Sequence, residues 1–74
     1  MDFDLSKHAI LRYIERKGGF QLQSTAEEEL KELLSKAVPF DFNGNTQYWR
    51  AEDWVLVINT DSSIVVTIFE AGND

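Results

Sequence analysis

The chain has no cysteine. This excludes a disulfide framework, a thiol nucleophile and any thiolate-ligated zinc or iron–sulfur centre. It has one histidine, His8, so no HExxH pair can form, and no D-x-D-x-D-G calcium loop occurs. Neither a metal nor a cofactor is expected. Long apolar runs are missing as well. The longest, Trp54 to Ile58, is five residues, against the roughly 20 that a membrane helix needs. The opening residues MDFDLSKHAI do not follow the basic-then-apolar layout of a secretory signal. The expectation is a cytoplasmic protein without membrane contact.

Basic charge is also scarce. Seven Lys and Arg stand against thirteen Asp and Glu, for a net charge of −6, so the chain lacks the broad basic footprint of a general nucleic-acid binder. The imbalance is uneven. Residues 1–17 hold four bases against three acids, residues 18–38 carry a net −2, and residues 39–74 set six acids against Arg50 alone. A small cationic site on the first segment is compatible with this distribution. A long positive track is not.

What is present is a 74-residue chain with 43% hydrophobic and 27% charged residues, the profile of one folded domain spanning residues 1–74. Ser6 is a good N-cap for a helix over residues 7–17, and Gly18-Gly19 stops it. Leu5, Ala9, Ile10, Tyr13 and Ile14 share one side of that helix, while His8, Arg12 and Arg16 line up on another. Ser24-Thr25-Ala26-Glu27 reads as a capping box for a second helix that ends before Pro39. Ala26, Leu30, Leu33, Leu34 and Ala37 form its apolar stripe.

From Pro39 the period becomes two. Asn43-Gly44 marks a hairpin, and the Trp54–Ile58 and Ile64–Phe69 runs have the β-branched and aromatic density of strands. The expected fold is α+β, with two N-terminal helices packed on one face of a three- to four-stranded antiparallel meander. Two helices cover only one sheet face. The other exposes either Val55 and Val57 with Val65 and Phe69, or Trp54, Leu56 and Ile58 with Ile64, Val66 and Ile68. Such a face marks an interface, for instance that of a homodimer.

The segment Leu5-Ser6-Lys7-His8-Ala9-Ile10-Leu11-Arg12-Tyr13-Ile14-Glu15-Arg16 resembles the S-x-H-A-x-x-R-x-x-x-R first helix of small toxin-type proteins. These are the BrnT-like and RelE-like relatives within the barnase–EndoU–colicin–RelE ribonuclease class. The order of two helices before a sheet ending in Val65-Val66-Thr67-Ile68 is similar to that class. The resemblance implies metal-independent RNA cleavage, or a non-catalytic descendant of it, with an antitoxin as protein partner. Carried over residue by residue, the implied site is His8, Arg12 and Thr67, with Arg16. Such chemistry needs a base for the 2′-hydroxyl, an acid for the leaving oxygen and cations for the phosphorane charge. His8 would be the base, Arg12 and Arg16 would hold phosphate oxygens, and Tyr48 and Arg50 offer an acid or a further clamp.

The charge balance supports a second expectation: a small phage- or plasmid-encoded interaction protein that inhibits a nucleic-acid-binding partner. Here Glu27, Glu28, Glu29, Glu32 and Asp53, with Asp41, Glu52 and Asp61, would meet a basic groove in place of phosphates.

Overall fold

The computed structural model describes residues 3–19 and 22–72. Ser6 sets the first helix. Its backbone is extended (φ −72°, ψ 154°), and its hydroxyl accepts the Ala9 N–H at 3.0 Å, starting α1 (Lys7–Arg16). The helix ends in a Schellman turn. The Gly19 N–H reaches the Ile14 carbonyl at 2.8 Å, the Gly18 N–H reaches that of Glu15 at 3.3 Å, and Gly18 takes φ +104°.

The second helix, α2 (Gln23–Lys36), begins differently from the sequence expectation. Its N-cap is Leu22, which makes no side-chain cap bond. Ser24 and Thr25 therefore fall inside the first turn, and the capping box does not form. Leu22 stays 73% exposed. The expected stripes are otherwise the ones buried: Ala9, Ile10 and Tyr13 from α1, and Ala26, Leu30 and Leu33 from α2.

The sheet is five-stranded and mixed, which corrects the expected three- to four-stranded antiparallel meander. Its strands are β1 (Asp4–Leu5), β2 (Val38–Asn43), β3 (Thr46–Ala51), β4 (Trp54–Asn59) and β5 (Ile64–Glu70), in the order β1-β5-β4-β3-β2. The extra strand is β1, which runs parallel to β5 with Leu5 opposite Val65. Two residues are too few to show a period, so β1 left no trace in the sequence pattern. The first hairpin is also displaced by one residue. Asn43 pairs with Thr46, so Gly44, at φ +61°, and Asn45 are the two central residues.

One β-bulge decides which face of the sheet is the core. Val57 pairs with Thr67 and Ile58 with Val65, leaving Val66 as the extra residue on β5. The bulge lets Val65 and Ile68, three apart, both join Leu56 and Ile58 against the helices. Val55, Val57, Thr67 and Phe69 take the opposite face. The side-chain alternation read from sequence is thus broken at Val66.

The β2 edge is closed to a further strand. β1, at the other edge, is two residues long and pairs only with Ile64 and Val65. On β2, Pro39 has no N–H, Phe40 sits at a register shift, and the Asp41 carboxylate accepts the Phe42 N–H at 2.9 Å. The Ser6 hydroxyl also donates to the Val66 carbonyl at 3.0 Å, and the Ser6 N–H reaches that of Val65 at 3.0 Å. Ser6 therefore both caps α1 and fastens it to the bulged strand. Ser6→Ala is expected to lower stability by about 1–2 kcal/mol, measured by urea unfolding, whereas Ser24→Ala should change it by less than about 0.5 kcal/mol.

Candidate functional site

The helices and the β3–β4 turn enclose a cleft of about 180 Å³ lined by Tyr13, Glu29, Glu32, Leu33, Lys36 and Glu52. Helical spacing explains four of the six. Glu29, Glu32, Leu33 and Lys36 stand at i, i+3, i+4 and i+7 along one side of α2. Tyr13 enters from α1, held by a tilted ring contact with Trp54 at 5.0 Å and by the Lys17 ammonium 5.7 Å from its ring centre. Glu52 closes the far side from the turn after β3 and forms an ion pair with Lys36.

The cleft is acidic. Three carboxylates stand against the one ammonium of Lys36. The Tyr13 hydroxyl donates to Glu29 Oε1 at 2.5 Å. Burial, reinforced by that bond and by the negative charges of Glu29 and Glu52, raises the Tyr13 pKa well above the ordinary phenol value. The bond to Glu52 raises the Lys36 pKa in turn. Among the described residues, no group of three or more His, Cys, Asp or Glu is placed to hold a metal ion. No described helix is long and apolar enough to cross a membrane.

The residues expected for RNA cleavage fall in two places. His8 and Arg16 are exposed on α1. Arg12, between them, has a side chain 40% exposed, with one guanidinium nitrogen 3.8 Å from Glu15. Its Nε is buried without a hydrogen-bond partner among the described residues. Thr67 is not part of that stripe. It pairs with Val57 on the sheet face opposite the helices, where Tyr48 also lies.

The acidic residues divide as well. Glu29 and Glu32 line the cleft, whereas Glu27, half-buried, and Glu28, exposed, do not. Asp53 is exposed in the turn beside Glu52, and its carbonyl accepts the Ala71 N–H at 2.6 Å. Sequence reasoning named Glu52 among the acids but did not single out Tyr13 or Lys36 for a site. Helical spacing relates Lys36 to Glu29 and Glu32. Nothing local relates Glu52 to them, and Tyr13 reads only as core.

No family model, curated protein or solved structure matches this chain. The reading of the site therefore stands on the residues themselves.

Tyr13 makes the cleft testable by pH. Below the ordinary phenol value of 10.0, folded and unfolded chains both hold the proton. Above it the unfolded chain releases the proton while the folded chain keeps it, so stability falls as pH rises. Unfolding followed from pH 8 to pH 11.5 should show that fall, by up to about 1.4 kcal/mol per pH unit from this group. Tyr13→Phe should flatten it and cost about 1 kcal/mol at neutral pH through the lost bond to Glu29.

Proposed function

We propose that this chain is a small acidic interaction protein whose cleft between α1, α2 and the β3–β4 turn receives a basic side chain from a protein partner. The observation that carries this reading is Glu52. Its φ is +55°, a conformation that costs a residue with a Cβ about 1 kcal/mol or more and that favours glycine or asparagine. A glutamate there sets a carboxylate at the mouth of the cleft, across from Glu29 and Glu32. Strain of this kind clusters at sites where a side chain is needed for more than folding.

The chemistry favours a guanidinium or ammonium group as the occupant. Three carboxylates with one lysine leave a local excess of negative charge, and the rim formed by Tyr13 and Leu33 accommodates the apolar stem of a long basic side chain. The partner fitting this description is the basic groove of a nucleic-acid-binding protein, with carboxylates in the places of phosphates. The acids outside the cleft, Glu27, Glu28 and Asp53, would steer the encounter rather than make the contact.

A second reading has one observation in its favour. Arg12, whose side chain is 40% exposed, lies between exposed His8 and Arg16 on α1, an arrangement in which its outer guanidinium nitrogens and Arg16 would meet a phosphate. This supports the toxin-type ribonuclease reading, with His8 as base and Arg12 and Arg16 on the phosphate, and without Thr67.

Two experiments separate the readings. For the first, a hexa-arginine peptide titrated into labelled protein should shift the amide signals of Tyr13, Glu29, Glu32 and Glu52 saturably. Affinity should drop severalfold between 50 and 300 mM salt, and Glu29→Gln with Glu52→Gln should weaken it about tenfold. Shifts spread evenly over the surface, or binding indifferent to salt, would count against it. For the second, wild-type protein should cleave a labelled mRNA and His8→Ala should not. Intact RNA after incubation with the wild type removes that reading.

A further inference from the structure

The sheet face turned away from the helices carries Val38 and Phe40 of β2, Tyr48 and Arg50 of β3, Val55 and Val57 of β4, and Thr67 and Phe69 of β5. Phe40 belongs to this side because its ring leans on that of Tyr48, at 6.5 Å between centroids. Val38 is 64% exposed and Phe40 55%. Phe69 is 38% exposed, whereas Val55 is buried, at 3%.

We propose that this face is where a second copy of the chain docks, sheet against sheet. The charge distribution selects that occupant. The acids of α2 (Glu27, Glu28, Glu29 and Glu32) lie on the other layer of the fold. The open face itself carries Arg50, Asp41 and, at the β1 corner, Asp4. Two copies meeting here keep their acidic helices on the outer sides of the pair, so the net charge of −6 does not oppose association. A two-fold interface is self-complementary, and Arg50 and Asp41 on neighbouring strands allow each copy's cation to face the other's anion. A basic partner would find no such match on this face.

The β2 edge points the same way. Pro39, the register shift at Phe40 and the Asp41 carboxylate on the Phe42 N–H block edge-to-edge strand addition, so association through this sheet proceeds through side chains. The area sets its strength. Four strands spaced about 4.8 Å apart, each about 20 Å long, give roughly 400 Å² in plan per copy. Protruding Val38, Phe40 and Phe69 add relief. A pair thus covers about 800 Å² in plan, below the roughly 1,000 Å² at which stable specific interfaces begin. The dimer is a dissociating one.

Sedimentation equilibrium between about 10 and about 500 µM tests this directly, because such a dimer follows mass action. The average mass should rise from 8.5 kDa toward twice that value. Phe40→Lys and Thr67→Lys should hold the chain at the monomer mass. Phe42→Lys should leave association unchanged, since Phe42 pairs with Gln47 on the helix side of the same edge strand and is equally exposed, at 61%. Circular dichroism melts establish that each variant is folded, and Phe40, already more than half exposed, keeps the test valid if Thr67→Lys unfolds. A wild type that stays monomeric to 500 µM overturns the proposal, and so does an equal loss in Phe42→Lys. Neither result bears on the acidic cleft, which lies on the opposite layer.

Discussion

The register shift on β5 and the serine that grips it govern how the rest of this small protein is arranged. Val66 is surplus to the β4 ladder, so the strand's side chains change phase there, and Val65 and Ile68 face the helices together. Ser6 occupies the junction. It binds the Val65 and Val66 carbonyls with its own amide and hydroxyl while that same hydroxyl caps α1. The first helix is thereby laid across β5, and the two-residue β1 before it pairs with the same strand. A chain this short buries few residues, so a local tie of this kind carries more weight than it would in a larger domain.

From that junction the two faces of the sheet acquire different chemistry. On the helix side, Ala9 and Ala26 are fully buried, letting the helices approach each other and bringing Tyr13 within reach of Glu29 and Trp54. The acidic cleft is a product of that approach. On the far side, the phase change puts Thr67 and Phe69 beside Val57 and Val55, making a face with little charge. The acidic and the apolar surfaces are therefore kept on separate layers of the fold.

Much of this was legible in the sequence. Both apolar helical stripes, the Ser6 cap, the Gly18-Gly19 stop and the strands at 54 and 64 followed from spacing and residue type. Three features did not. The capping box at Ser24 gave way to a start at Gln23, since a helix start depends on the path of the chain leading into it as well as on its own residues. β1 was too short to show a period. The bulge at Val66 cannot be read from Ile64-Val65-Val66-Thr67, because every residue there suits either face of a strand. The site was legible only in part. Glu29, Glu32 and Glu52 were all named among the acids, but that Glu52 meets the other two depends on a turn 20 residues beyond Glu32.

The sequence by itself determined the class of the protein: an α+β chain without thiols, with too little basic charge for a nucleic-acid track and no apolar run for a membrane helix. These follow from composition and period, which are local or additive. The tertiary structure alone decided which sheet face is core, on which face Thr67 stands, and which acids converge. Those are relations between residues far apart in the chain. The core side of β5 was settled by one extra residue in that strand, and the meeting of the acids by the packing of α2 beside the β3–β4 turn.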